Sequence, residues 1–160
     1  MLADANIHME NKITQPIPEE VLTQVNAKVT EIKVALNPHL IALTPQERKD
    51  LPKMGDGTEP FVNKSIEYSS TAPQFAPPFL DVDGFKIDMK VWEQLMSVYR
   101  PLAQLLQDLD DTIMEAGAES YTSALSYYNA VKYAARMSVP ESKTIYEDLK
   151  ARFAKNGNWN

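Results

Sequence analysis

Proline placement restricts how this chain folds more than any other feature. Nine of the eleven prolines lie at or before Pro78, and only Pro101 and Pro140 follow. A proline donates no backbone hydrogen bond, and its ring clashes with the carbonyl one turn back, so it breaks a helix interior. The first half must therefore be short pieces, and the second half is free to form long helices. There is no internal repeat and no low-complexity tract. Apolar and polar residues never alternate with period two over a useful length, so strands are not expected.

Helical periodicity fills the spaces between the prolines. Val21, Leu22, Val25, Val29, Ile32 and Leu36 recur every three or four residues after Pro18, and Pro38 stops the run, which predicts a helix over 18–36. Thr44, Pro45 and Glu47 have the spacing of an N-cap, a first-turn proline and a capping-box acid, with Pro52 two turns later. Thr58, Glu59 and Pro60 look like another helix start. Residues 71–80 (TAPQFAPPFL) read as an extended connector whose phenylalanines pin it to the body of the protein. From Asp83 the apolar positions alternate four and three apart: Phe85, Met89, Trp92, Met96 and Tyr99, beside Val91, Leu95, Val98, Leu102, Leu105 and Leu109. Two adjacent stripes make a broad apolar face. A helix is expected over 84–115, with Pro101 kinking it, and Gly117 ends it at a C′ position before an antiparallel helix over 118–137. One helix through Gly117 is the competing reading, at a cost of about 1 kcal/mol. Ser138 is expected to cap a last helix from Val139 to Ala154, which Gly157 follows.

These elements add up to an all-α, antiparallel, up-and-down bundle of four main helices, with short helices in the proline-rich part. The expected domain is single, over 1–160. It has an arm (1–17), a helix (18–36), a connecting region (37–82) and the long helices (83–155).

Composition removes several chemistries. The chain has no cysteine, so disulfides, thiolate nucleophiles and Cys-ligated metals are excluded. His8 and His39 are its only histidines, and neither belongs to the Glu-x-x-His pattern of a di-iron bundle. No nucleophile–base set is patterned, and no cofactor is implied. A net charge of −6 argues against nucleic acid, whose binding relies on phosphate neutralisation. The start, MLADANIHMENK, lacks the basic and apolar regions of a secretory signal, and no apolar run reaches the roughly 18 residues that cross a bilayer. A cytoplasmic protein without membrane contact is expected. Asp81, Asp83 and Gly84 resemble the middle of a calcium loop, but Phe79 and Lys90 then occupy positions that need acids. An N-cap role for Asp81 or Asp83 explains the cluster better.

Three residue sets remain as candidate sites. Residues 101–131 carry five acids and no base, a net −5, whereas 132–160 carry six bases and three acids, a net +3. Asp108, Asp111 and Glu115 lie opposite the apolar face, and Lys150 and Arg152 lie on the last helix. This is a solvated surface or a complementary contact between copies. Arg48, Lys53 and Asp56 form a structural corner or an anion site. Tyr121, Tyr128 and Met96 belong to the core or line a ligand pocket.

The segment LTPQERKDLPKMGDGTEPFV (43–62) is distinctive. Together with APPFLDVDGFKID, RPLAQLLQDLDDTIMEAG, YNAVKYAA and IYEDLKARF, it resembles a family of small bacterial helical proteins of no assigned function, over roughly residues 15–154. The motif L-T-P-x-E-R-x-x-L-P-K-M-G-D runs from Leu43 to Asp56. The resemblance implies a helical fold and carries no site. The expected function is non-catalytic contact with a protein partner or with copies of the chain (a homo-oligomer). A small-ligand or sensor bundle with a Tyr/Met-lined pocket is the alternative.

Overall fold

A computed structural model describes residues 11–155, and among them the chain is all-α, with no strand. The helices are α1 (Glu19–Leu36), α2 (Pro45–Asp50), α3 (Glu59–Thr71), α4 (Val82–Arg136) and α5 (Ser142–Lys155). Short 3-10 turns, Asn37–His39 and Pro73–Phe75, follow α1 and α3. His8 and the expected stop at Gly157 lie outside the described residues.

Local chemistry accounts for most helix ends. The Pro18 carbonyl accepts from Val21 and Leu22 at 3.0 and 3.2 Å, opening α1. At α2 the capping box is complete: Glu47 N–H donates to the Thr44 hydroxyl at 3.3 Å, and Thr44 N–H donates to the Glu47 carboxylate at 2.7 Å. Asp81 caps α4 by accepting from Gly84 N–H at 2.9 Å. A Cβ on Gly84 would lie 2.5 Å from an Asp81 carboxylate oxygen, so the glycine makes room for the capping group. That accounts for the D-x-D-G sequence without calcium.

The second half departs from expectation in two places. α4 runs through Gly117 without a break, so the antiparallel pair expected on either side of it does not form. Among the described residues no glycine has a positive φ, so Gly117 does not adopt the left-handed conformation of a C′ residue. The helix ends instead at Ser138, whose φ is 57°. Ser138 N–H donates to the Ala135 carbonyl at 3.2 Å and Val139 N–H to Ala134 at 3.1 Å. These are the two bonds of a Schellman stop. Ser138 therefore terminates α4 rather than capping α5, which starts at Ser142.

The chain divides into two units. One, Ile17–Leu105, contains α1, α2, α3 and the first part of α4. Within it Met89 is buried, at only 5% exposed, and Phe85, Trp92 and Met96 of the same stripe are half-buried. Arg100 Nη2 joins Asp56 at 2.8 Å, with Glu59 at 3.9 Å, tying α4 to the corner before α3. The other unit comprises Met1–Pro16 and Leu106–Asn160. There Val131 is buried, and Tyr128 packs against Tyr146 and Phe153 with ring centroids 5.6 and 5.7 Å away. Ser142 is also buried, its hydroxyl donating to the Val139 carbonyl at 2.5 Å.

Candidate protein-contact surface

The apolar stripes legible in the sequence exist, but much of their surface faces water. On α1, Val21, Leu22, Val25, Val29 and Ile32 are all exposed, Val25 at 48%. On α4 Met89 is buried and Phe85, Trp92 and Met96 are half-buried, as are Leu95, Val98 and Leu102 of the neighbouring stripe, whereas Val91, Leu105 and Leu109 of that stripe are exposed, and so are Tyr99, Leu106, Ile113 and Met114. Met89 and Val131 are the buried apolar side chains among the described residues. Burying one Val or Leu side chain contributes about 1.5–3 kcal/mol, so the open stripes hold most of the apolar stabilisation available to these helices.

One part of this surface is concave. Leu36 at the end of α1, Leu40 after the 3-10 turn, and Leu95, Val98, Tyr99 and Leu102 of α4 line an apolar groove of about 280 Å³. Leu40 and Tyr99 are exposed at its rim, and the other four are half-buried. The four-and-three spacing of Val91 to Leu109 was a sequence signal for the α4 wall. Nothing in the sequence indicated that Leu36 and Leu40 would meet it.

The connector also differs from expectation. Phe75 and Phe79 are 81% and 90% exposed, so they do not pin it to the rest of the chain. Its prolines hold it in short turns: Ala76 N–H donates to the Pro73 carbonyl at 3.0 Å, and Leu80 N–H to Pro77 at 2.9 Å. These turns leave the aromatic rings pointing away from chain they would otherwise cover.

The acidic stretch of α4 has a partner in its own unit. Lys12 Nζ lies 3.2 Å from the Glu115 carboxylate. The backbone N–H groups of Lys12 and Ile13 donate to Glu119 Oε1 at 2.6 and 3.3 Å. With its amide turned to donate, Asn11 reaches Glu119 Oε2 at 2.8 Å. The arm is thus held by two carboxylates one turn apart, on either side of Gly117. A pairing across 107 residues leaves no local signal. Asp108 and Asp111 lie on exposed turns of the same helix. On α5, Arg152 Nε donates to Asp148 at 3.1 Å, which raises the guanidinium pKa further, and Lys150 Nζ lies 5.9 Å from the Tyr146 ring centroid.

The corner residues have structural partners. Lys53 Nζ donates to the carbonyls of Lys49 and Leu51 at 3.1 and 2.5 Å, capping the C-terminal end of α2. Asp56 is the acceptor of Arg100. Arg48 is exposed on α2. Met96 is half-buried in the first unit; in the other, Tyr121 is exposed and Tyr128 belongs to the aromatic cluster.

Two ionisable groups are displaced by these contacts. Hydrogen bonds from the Thr44 N–H and hydroxyl hold Glu47 below its ordinary value of 4.5. A hydrogen bond with Tyr146 pushes the Tyr128 phenol above 10.0. Glu47 lines a surface cleft with Leu43, Gln46, Asp50, Leu51 and Pro52, and among the described residues no three or more acids or histidines are placed to hold a metal ion. No described helix is long and apolar enough to cross a membrane. The arrangement presents unpaired apolar helix faces edged by local ion pairs, and no family model, curated protein or solved structure matches the chain.

Proposed function

We propose that this is a cytoplasmic, non-catalytic helical protein that acts through protein–protein contact, with copies of itself as partners. In this reading the antiparallel bundle implied by the stripes is completed between chains, and its core is shared. One observation carries the proposal: Val21, Leu22, Val25, Val29 and Ile32 of α1 and Val91, Leu105 and Leu109 of the second stripe of α4 are exposed, although they recur at core spacing. Periodicity of this kind stabilises a helix only when its face is buried. The charge distribution supports the same reading, because a net −5 over 101–131 and +3 over 132–160 give two copies complementary ends. Light scattering on the full chain tests it. A mass that is a multiple of 18.0 kDa is expected, rising with concentration until the assembly is complete. A monomer at every accessible concentration overturns the proposal.

A second reading, a carrier of a small apolar ligand, draws on the groove alone. Its volume is about 280 Å³, just under the ~300 Å³ typical of ligand pockets, and its lining includes one tyrosine and no methionine. Saturable one-to-one uptake of an apolar fluorophore, lost in Val98→Glu, is the result that would favour it.

A further inference from the structure

We propose that the proline-rich connector of one copy plugs the apolar groove of a second, with Phe75 and Phe79 entering the space lined by Leu36, Leu40, Leu95, Val98, Tyr99 and Leu102. This rests on the self-assembly reading and names the surface it uses.

The two surfaces match in chemistry. No charged side chain lies between Glu67 and Asp81, the segment that contains the connector. None lies between Lys33 and Glu47, where Leu36 and Leu40 sit, or between Glu93 and Arg100 on the α4 wall. Five of the six lining residues thus come from uncharged stretches, and Arg100, which precedes the sixth, Leu102, is already paired with Asp56; an uncharged centre is how the core of a protein interface differs from its rim. Exposed aromatics facing an uncharged concave patch are the pairing from which interface hot spots are made. The connector is also suited to the role of plug. Pro73, Pro77 and Pro78 and two turn hydrogen bonds restrict its backbone, so little conformational entropy remains to be lost on docking.

The occupant cannot be the chain's own Phe79. Leu95 to Leu102 lie 13 to 20 residues beyond Val82 on α4, about 20–30 Å along the axis at 1.5 Å per residue. The three residues from Phe79 to Val82 bridge about 10 Å even when fully extended. The remaining gap exceeds the length of a phenylalanine side chain. Phe75 is held back by the Pro73–Phe75 turn and the Pro77–Leu80 turn that follows. A second copy is free of this tether. Plug and groove are different patches, so each copy offers one of each, and two copies can exchange plugs reciprocally or link head to tail.

Sedimentation velocity on the full-length chain tests this with two variants at exposed positions, which leave the helix content measured by circular dichroism unchanged. Phe75→Ser with Phe79→Ser removes the plug, and Leu40→Glu places a charge at the groove. Each is expected to raise the concentration needed for association by about tenfold or more. Mixing the two variants is expected to restore association, because the intact connector of the Leu40→Glu chain meets the intact groove of the other. If wild type associates and both variants match it, the plug is overturned and the self-assembly reading stands. If wild type is monomeric throughout, both fall. A photo-crosslinker at position 79, in a mixture of isotopically light and heavy chains, gives a second readout. Heavy–light crosslinks to 36–40 or 95–102 are expected, and crosslinks within one chain or to other segments overturn the proposal.

Discussion

Gly117 and Ser138 exchange the roles that their residue types suggest. Glycine is the favoured residue for ending a helix, yet α4 passes through Gly117. Serine starts helices far more often than it ends them, yet Ser138 takes the left-handed conformation that stops α4. The magnitudes explain the exchange. A glycine inside a helix costs about 1 kcal/mol, which the hydrogen bonds of the helix-forming residues after it outweigh. A proline inside a helix costs about 3 kcal/mol and forces the residue before it out of the helical region. Pro140 therefore sets the end, and Ser138 occupies the C′ position because of where Pro140 lies. The arm adds a second reason at Gly117, since Glu115 and Glu119 both hold Lys12 across that turn.

Four measurements sharpen or break this comparison. Gly117→Pro has the largest expected effect, about 2 kcal/mol of lost stability, because proline replaces the cost of glycine with its own. Chemical denaturation monitored by circular dichroism reads it, and an unchanged midpoint would mean that α4 is broken at this point already. Ser138→Gly is expected to stabilise by about 1 kcal/mol, since glycine adopts a positive φ without the penalty an L side chain carries. Gly117→Ala is expected to stabilise by up to about 1 kcal/mol, because a Cβ there meets nothing within 4 Å. A loss of stability in that variant would show that Gly117 needs a conformation alanine cannot adopt. The smallest effect is local, at the capped start of α2. Glu47 is held below 4.5 in the folded chain, so its contribution is complete above that value and is lost as the pH falls through the lower, folded one. Amide chemical shifts of Thr44 and Glu47 should follow this titration at acidic pH, and Glu47→Gln should flatten the profile while keeping the cap.

Legibility in the sequence followed the range of the forces. Thr44 with Glu47, Asp81 with Gly84, and the proline stops all act within about four residues, and each was readable. The 3.5-residue stripes were readable for the same reason, since periodicity is a local property. The candidate contact surface was readable only as a set of apolar positions. The acidic face was readable as a charge excess, but the meeting of Glu115 and Glu119 with Lys12 of the same chain was not. The Tyr/Met pocket was drawn from helical spacing, which says nothing about which distant helix covers a face. Phe75 and Phe79 were expected to pin the connector because they are apolar, and both are exposed.

By itself, then, the sequence determined that the chain is helical, where its short helices start and stop, and which chemistries it lacks. Prolines, caps and missing cysteines act through covalent geometry and near neighbours, so they need no knowledge of the fold. Only the tertiary structure decided that α4 is one helix of 55 residues, that Lys12 meets Glu115 and Glu119 on it, and that Val91, Leu105 and Leu109 of the second apolar stripe stay exposed. Each of those outcomes depends on which distant surfaces meet, and burial between distant segments leaves no periodic trace in the chain.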